Sequence, residues 1–258
     1  MNIKDIEQKY DNVVEIKPLN AADLDNVFPA QKNAESKKQF RYTNVSIFSV
    51  TPIDQSLETS NLLLQFYDVK TLKKKTLTEI GSCIGGNTWS FAQLVEHVNA
   101  VEINKLHAEI LAHNLKIMDA NNVTVHNANY VDIRDELSQE IVFFDPPWGG
   151  LDYRTKKSYI IEIMHGKNET IPVDKLVKNI RAELIIIKLP LNHDVDHLRS
   201  IKKYFSVVIV SVPDRWKRDK THAIYQLVLL SDVRPKHAKK DIFVEAFNYR
   251  DIKFSVVD

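Results

Sequence analysis

Between residues 76 and 190 short apolar runs alternate with stretches of helical spacing. Thr76 to Ile80, Ala100 to Ile103, Val123 to His126, Ile141 to Phe144 and Leu184 to Leu189 read as strands, each a brief run bounded by polar or glycine-containing residues. Thr88 to Glu96, Lys105 to Met118 and Val173 to Ile180 carry apolar positions three and four apart and predict helices. Such a βαβ rhythm implies a parallel sheet with helices on both faces. The ending differs. Tyr204 to Val212 and Ala223 to Leu230 are long β-rich runs, and the polar segment from Pro213 to Thr221 leaves no room for a crossover helix, so the two should pair antiparallel. Upstream, the turn Ser49-Val50-Thr51-Pro52 leads into Leu57, Leu62, Leu63, Leu64 and Phe66, an amphipathic helix, and Lys73, Lys74 and Lys75 mark an exposed loop after it.

The most constrained stretch is Ile141-Val142-Phe143-Phe144-Asp145-Pro146-Pro147-Trp148-Gly149-Gly150. Four consecutive apolar residues suit a parallel strand covered on both faces, and the double proline ends ladder pairing, because proline lacks an N–H and has a locked φ. A carboxylate and an indole are thereby held at the carboxyl end of a buried strand, where open α/β sheets bind their ligands.

Composition narrows the surroundings of that loop. With 258 residues, 44% of them hydrophobic and 27% charged, the chain has length for one large core plus a small appendage. A formal net charge of +1 leaves nucleic-acid binding to local basic clusters. A single cysteine, Cys83, excludes an internal disulfide and any multi-cysteine zinc site, and it suits a reducing compartment. No apolar run approaches the ~20 residues of a membrane span. The expectation is an intracellular protein of nucleus or cytoplasm, or of a viral factory if viral, with no membrane partner. His193 and His197, four apart, read as one face of a capped helix rather than a ligand pair, so no metal is expected.

Glu79-Ile80-Gly81-Ser82-Cys83-Ile84-Gly85-Gly86-Asn87-Thr88 joins the first strand to its helix through small residues that let a backbone approach a ligand closely. Asn87 or Thr88 would cap the helix in the purely structural reading. Glu102, closing the second strand, suits a bidentate hydrogen bond to ribose hydroxyls, and Asn129 after the third strand offers an amide to an adenine edge. A dehydrogenase would use the same geometry, so these loops indicate a ribose-bearing nucleotide cofactor and not the reaction. The Asp-Pro-Pro-Trp loop indicates the reaction. An exocyclic amine conjugated to a heterocycle must pyramidalise to attack a methyl group, and acceptors on its N–H groups, here Asp145 and the carbonyl of Pro146, would stabilise the charge that builds on nitrogen while Trp148 offers a flat face to the base. Five parallel strands and a terminal hairpin form the layout of S-adenosylmethionine-dependent Rossmann-like methyltransferases. The predicted fold is therefore α/β, with a seven-stranded mostly parallel sheet, an antiparallel terminal hairpin and a small helical N-terminal extension. The expected division is 1–48 as extension, 49–231 as methyltransferase domain and 232–258 as a tail of unread role.

FSVTP at Phe48 to Pro52, CIGGNT and the following WSFA at Cys83 to Ala92, DPPWGGLDY at Asp145 to Tyr153, and LPLNHDVD at Leu189 to Asp196 occur in one order across roughly residues 45 to 230. On these the chain resembles the trimethylguanosine synthase family, the cap guanine 2-amino methyltransferases. The resemblance implies S-adenosylmethionine as cofactor and a 7-methylguanosine cap or capped RNA as substrate, converted to the 2,7-dimethyl or 2,2,7-trimethyl form. It places cofactor contacts on Phe48, Val50, Thr51, Glu79, Gly85, Asn87, Thr88, Glu102, Asn129 and Asp145. The methyl-acceptor site falls on Asp145, Pro146, Trp148 and Gly149. Lys37, Lys38 and Arg41 are the favoured holders of the cap phosphates, ahead of Lys156 and Lys157 and of Arg215, Lys217, Arg218 and Lys220. The chain departs from the family's usual glycine at Cys83, serine at Asp145 and aspartate at Glu102 and Asn129. Because Asp-Pro-Pro-Trp is also the loop of RNA adenine 6-amino methyltransferases, that chemistry is one alternative. A non-catalytic cap- or RNA-binding module on the same fold is another.

Overall fold

β4 (Ile141–Phe144) is buried at every position, and so is β7 (Leu184–Leu189). Successive side chains of a strand point to opposite faces, so full burial requires cover on both. In the computed structural model, which describes residues 26–29, 38–148, 155, 157, 160–165, 169–213, 221–236 and 253–257, two apolar clusters supply that cover. Ile141, Phe143, Leu184 and Ile186 enter one cluster, and Val142, Phe144, Ile185 and Ile187 enter the other.

Around these strands lie β1 (Thr76–Ile80), β2 (His97–Val101) and β3 (Val123–His126), then β8 (Tyr204–Pro213), β9 (Thr221–Ser231) and β10 (Lys253–Val257). The sheet runs β10-β8-β9-β7-β4-β1-β2-β3. β3, β2, β1, β4 and β7 are parallel, while β9 pairs antiparallel with both β7 and β8. The terminal hairpin forms as expected, with its second strand inserted between β7 and β8. The sheet has eight strands rather than seven. The additional one is β10, from the tail whose role the sequence left open, antiparallel to β8 at the sheet edge.

The helices are α1 (Ser46–Ser49), α2 (Ile53–Asn61), α3 (Val69–Leu72), α4 (Gly86–Ala92), α5 (Lys105–Ile117), α6 (Tyr130–Ile133) and α7 (Val173–Lys178). The long helix expected through Phe66 stops at Asn61 and tightens into a 3₁₀ turn over Leu62–Gln65, which buries Leu62 and Leu63. A second difference is a small hairpin of β5 (Glu162–His165) and β6 (Glu169–Pro172) between the tryptophan loop and α7. The second strand starts earlier than its apolar run suggested, so Glu102 lies just past its end.

Helix α2 meets α4 through small polar residues. Ser56 Oγ donates to Thr51 O (3.2 Å), and Ser90 Oγ donates to Ser56 O (3.0 Å). The segment ahead of α1 is held by α5: Asn114 Nδ2 donates to both Arg41 O and Ile84 O, and its Oδ1 accepts from Arg41 N. Within the expected N-terminal extension, Val27, Phe28, Phe40 and Tyr42 are buried in the same core cluster as the sheet. Residues 1–25 and 30–37 lie outside the described residues. No helix among the described residues is long and apolar enough to cross a membrane.

Candidate active site

Strand register builds the site. Phe144 pairs with Ile80 on one side and with Ile187 on the other. The next residues, Gly81, Asp145 and Lys188, therefore form a row across the carboxyl ends of β1, β4 and β7. Parity then selects the face, since Glu79, Asp145 and Lys188 continue the alternation of Leu77, Phe143 and Ile186. Tyr225 on β9 belongs to the same cluster.

On that face the polar groups form a chain. Lys188 Nζ donates to Asp145 Oδ2 at 2.7 Å and to Thr51 Oγ1 at 3.0 Å. Thr51 Oγ1 also accepts from Asn87 Nδ2 at 3.0 Å, while Asn87 Oδ1 is buried without a hydrogen-bond partner among the described residues. Val50, Thr51, Glu79, Ser82, Asn87 and Asp145 line one cleft. Four of the expected cofactor positions, from two distant parts of the sequence, thus converge on it with Asp145 from a third.

The loop after β1 is shaped by three positive φ angles, the first at Gly81 (83°). Gly85 caps α4 at φ 107° with no side-chain bond, in place of the Asn87 or Thr88 cap, and Cys83 sits at φ 50°. A left-handed backbone costs a non-glycine residue roughly 1–2 kcal/mol, which explains glycine as the usual family residue at that position. Thr88 instead donates its hydroxyl to Glu79 Oε2. Gly86 is needed for close approach: a Cβ there would lie 2.5 Å from Thr51 O and 2.9 Å from Val50 Cγ2. Gly86→Ala should therefore push the Val50-Thr51 segment outward. Overpacking of about 1–3 kcal/mol, if carried wholly into binding, corresponds to a loss of S-adenosylmethionine affinity of roughly fivefold to 150-fold. Calorimetric titration of the variant checks this; unchanged affinity would show that this contact does not shape the cofactor site.

Burial governs the charges. Glu79, which is 1% exposed, has its carboxyl pushed up to about 8, first by burial and further by Asp145 and Glu102, against the bond from Thr88. Burial likewise raises the Asp145 carboxyl, and the Lys188 ammonium pulls it part of the way back. Glu102 is also raised by burial, although its oxygens accept from Cys83 N (2.9 Å) and Asn104 N (2.8 Å). Each oxygen keeps a lone pair for a ribose hydroxyl.

Some expected site residues stand apart from this face. Asn129 caps α6, its Oδ1 accepting from Val131 N (3.1 Å) and its Nδ2 donating to Met164 O (3.0 Å) on β5. Each of the two atoms keeps one further hydrogen-bonding position. Phe48 is 90% exposed at the rim. Arg41 is tied to α5 and to Ile84 of the cofactor loop, and no hydrogen bond or ion pair among the described residues joins it to the tryptophan loop. Lys38 is exposed nearby. Lys37, Gly149, Lys156, Arg215, Lys217, Arg218 and Lys220 lie outside the described residues, and Lys157 is exposed. His193 and His197 do not share a helix face. Both reach Asp174 at the start of α7, at 3.3 and 2.8 Å, bracing the loop after β7.

Trp148 is half-buried against both core clusters. Its indole N–H donates to Lys188 O at 3.3 Å, and its ring meets the Tyr225 ring at 6.5 Å and 63°. Lys188 and Tyr225 were not singled out in the sequence. The signal for Lys188 was present: a lysine interrupts the apolar run Leu184 to Leu189 one residue beyond the register partner of Phe144.

Strand order and cleft define a class I methyltransferase fold, the Rossmann-like fold of S-adenosylmethionine-dependent enzymes. The S-adenosylmethionine-dependent methyltransferase of Agrobacterium tumefaciens shares it with a TM-score of 0.52 at 10% identity, over 75% of this chain and 66% of that one. Residues 74–226, more than half of the chain, match the family of RNA cap guanine-N2 methyltransferases, and the chain belongs to that family. An uncharacterised protein of Acanthamoeba polyphaga mimivirus is 34% identical over 139 residues, 53% of this chain and 54% of the relative. The trimethylguanosine synthase of Schizosaccharomyces pombe is 28% identical over 121 residues, 44% of this chain and 48% of that protein. The chain thus spans about half the length of the curated relatives it matches.

Proposed function

We propose that the chain methylates the exocyclic 2-amino group of a 7-methylguanosine cap, using S-adenosylmethionine. The observation that carries this reading is the convergence of Thr51, Asn87, Glu79 and Asp145 on one cleft, with Trp148 fixed beside it through Lys188 and Tyr225. Membership of the cap guanine-N2 family supports it.

The residues fit the cofactor. Asn87 Oδ1, buried and without a hydrogen-bond partner among the described residues, supplies an acceptor for an ammonium group, and Glu102 supplies a carboxylate for a ribose diol. Asp145 and Glu102, with Glu79 able to ionise as a cation arrives, make the cleft favourable for a cation. Val50 and Thr51 close it from the amino-terminal side. Bound there, S-adenosylmethionine supplies an electrophilic methyl group on a sulfonium.

Asp145 and the carbonyl of Pro146 accept the N–H groups of the acceptor amine and hold its lone pair toward the methyl. As the N–CH3 bond forms and the S–CH3 bond breaks, its electron pair stays on sulfur and positive charge develops on nitrogen. An acceptor pair fixed in a water-poor cleft stabilises that charge, and the Asp145 carboxylate can take the proton the nitrogen then sheds. Trp148 orients the base. In this reading residues 1–48 complete the cap pocket around a core of 49–231, and 232–258 extends the sheet edge through β10.

Labelled S-adenosylmethionine should transfer its methyl group to 7-methylguanosine diphosphate and not to unmethylated guanosine diphosphate. Transfer to an adenosine-containing RNA instead would assign the Asp145 loop to adenine chemistry. No transfer to any acceptor, with the cap nucleotide still bound, would make the chain a binding module.

A further inference from the structure

The buried cation of the site has no part in the cofactor cradle read above. Lys188 exposes 11% of its side chain and Asp145 15%. Lys188 occupies a β7 position flanked by Ile187 and Leu189, both fully buried. Taking two charges out of water costs several kcal/mol per ion, and well-packed apolar residues of similar volume are often as stable or more so. Stability alone therefore does not account for a lysine there. Its geometry does something specific. Nζ is fixed at three points, 2.7 Å from Asp145 Oδ2, 3.0 Å from Thr51 Oγ1 and 5.0 Å above the Tyr225 ring. Asp145 Oδ1 has no hydrogen-bond partner among the described residues. From the other strands, the ionisable neighbours that act on this carboxyl are Glu79 on β1, Cys83 in the loop after it and Tyr225 on β9, and none of them is a cation.

We propose that Lys188 is the positioning residue of the methyl-acceptor site: it keeps the Asp145 carboxylate charged and turned by its Oδ2, which reserves Oδ1 for an N–H of the acceptor amine. This rests on the reading of Asp145 as the amine's acceptor. Because the tryptophan indole donates to the Lys188 carbonyl, one residue of β7 sets both the carboxylate and the ring plane. The same lysine accounts for an acid at a position where the family usually has serine. A serine hydroxyl can accept an N–H without a counter-charge, whereas a buried aspartate beside Glu79 needs one.

The test uses the full chain and three forms of it: wild type, Lys188→Met and Lys188→Arg. Carbon-detected NMR of the Asp145 carboxyl in the ligand-free protein reads the pair without any turnover. Removing an opposite charge in direct contact shifts a carboxyl upward by about 1–3 pH units. Lys188→Met should move the Asp145 titration up by that amount, and the acidic limb of kcat/KM for 7-methylguanosine diphosphate should follow it. At a pH one unit below the displaced limb, the rate should be about fivefold to tenfold below wild type. Lys188→Arg keeps the charge and should leave both within about half a unit of wild type. If the methionine variant does not fold, Lys188→Gln serves in the same titration. An Asp145 titration equal in wild type and in a folded variant without the charge overturns the proposal. So does an arginine variant as displaced as the methionine one. A displaced titration accompanied by no methyl transfer in wild type, on any acceptor, upholds the Lys188–Asp145 coupling and overturns the catalytic reading instead.

Discussion

Replacing Trp148 with alanine is expected to lower kcat/KM for 7-methylguanosine diphosphate by about a thousandfold, with affinity for S-adenosylmethionine changed by no more than about threefold. Two effects multiply. 7-Methylguanine carries a positive charge, and a cation over an indole face gains ~0.5–2 kcal/mol, up to about thirtyfold in binding. Loss of a positioning surface by about 1 Å costs roughly another hundredfold in rate. The ring's fixed attachments sharpen the expectation. Its N–H is bonded to Lys188 O and its edge rests on Tyr225, so the plane is set before any base arrives. Its contacts run toward β7 and β9, whereas Asn87, Glu79 and Glu102 lie on the other side of Asp145, over β1 and β2. Trp148→Phe separates the contributions: it keeps an aromatic face and loses the N–H bond, and should retain transfer within about tenfold of wild type. The measurements are steady-state transfer and calorimetric titration with each ligand. Equal loss of cofactor affinity and transfer in the alanine variant would make Trp148 a structural prop of the whole cleft and remove its stacking role.

How far the site could be read from sequence depended on whether its determinants were local. Ile141 to Asp145 was legible because a run of four apolar residues before two prolines has few other uses, and the strand is buried on both faces as that run requires. The strand that carries Glu79 was legible for a similar reason: that strand and its glycine turn lie within ten residues of each other. The bond from Asn129 to Met164 O was not legible, because its partner comes from a hairpin 35 residues downstream that no periodicity announced. The β10 edge strand failed similarly, since its pairing with β8 depends on a contact between distant parts of the chain. Lys188 is the instructive case. It stood in plain view as a charge in an apolar strand, but its meaning required the register between β4 and β7, which sequence alone does not supply. Once Phe144 is set against Ile187, Asp145 and Lys188 must meet, and Thr51 and Tyr225 follow from the packing of α2 and β9.

Glu79→Gln is expected to remove a pH dependence of stability that the wild type carries. The folded-state carboxyl stands at about 8 against an ordinary value of 4.5, raised first by burial. Between those pH values the folded state keeps the proton and the unfolded state has released it. Stability from this group is therefore fully present below about pH 4.5, declines by about 1.4 kcal/mol per pH unit as pH rises toward 8, and levels off above it. The glutamine variant cannot release the proton, so its advantage over wild type in chemical denaturation should grow across that window and vanish at its acid end. Parallel stability curves for the two proteins would show that Glu79 is ionised throughout and refute the argument. The cost of holding such an acid has a functional counterpart. At neutral pH Glu79 is largely neutral in the ligand-free cleft, beside Asp145 and Glu102, and a cation entering there makes its ionised form favourable. Binding of S-adenosylmethionine at pH 7 should then release up to about one proton, measurable as a heat that varies with the buffer's ionisation enthalpy, and Glu79→Gln should abolish that part of the signal. In the proposed reading, a buried acid in this position stays uncharged until its counter-charge arrives, which spares the empty cleft a third carboxylate while keeping one in reserve for a cationic cofactor.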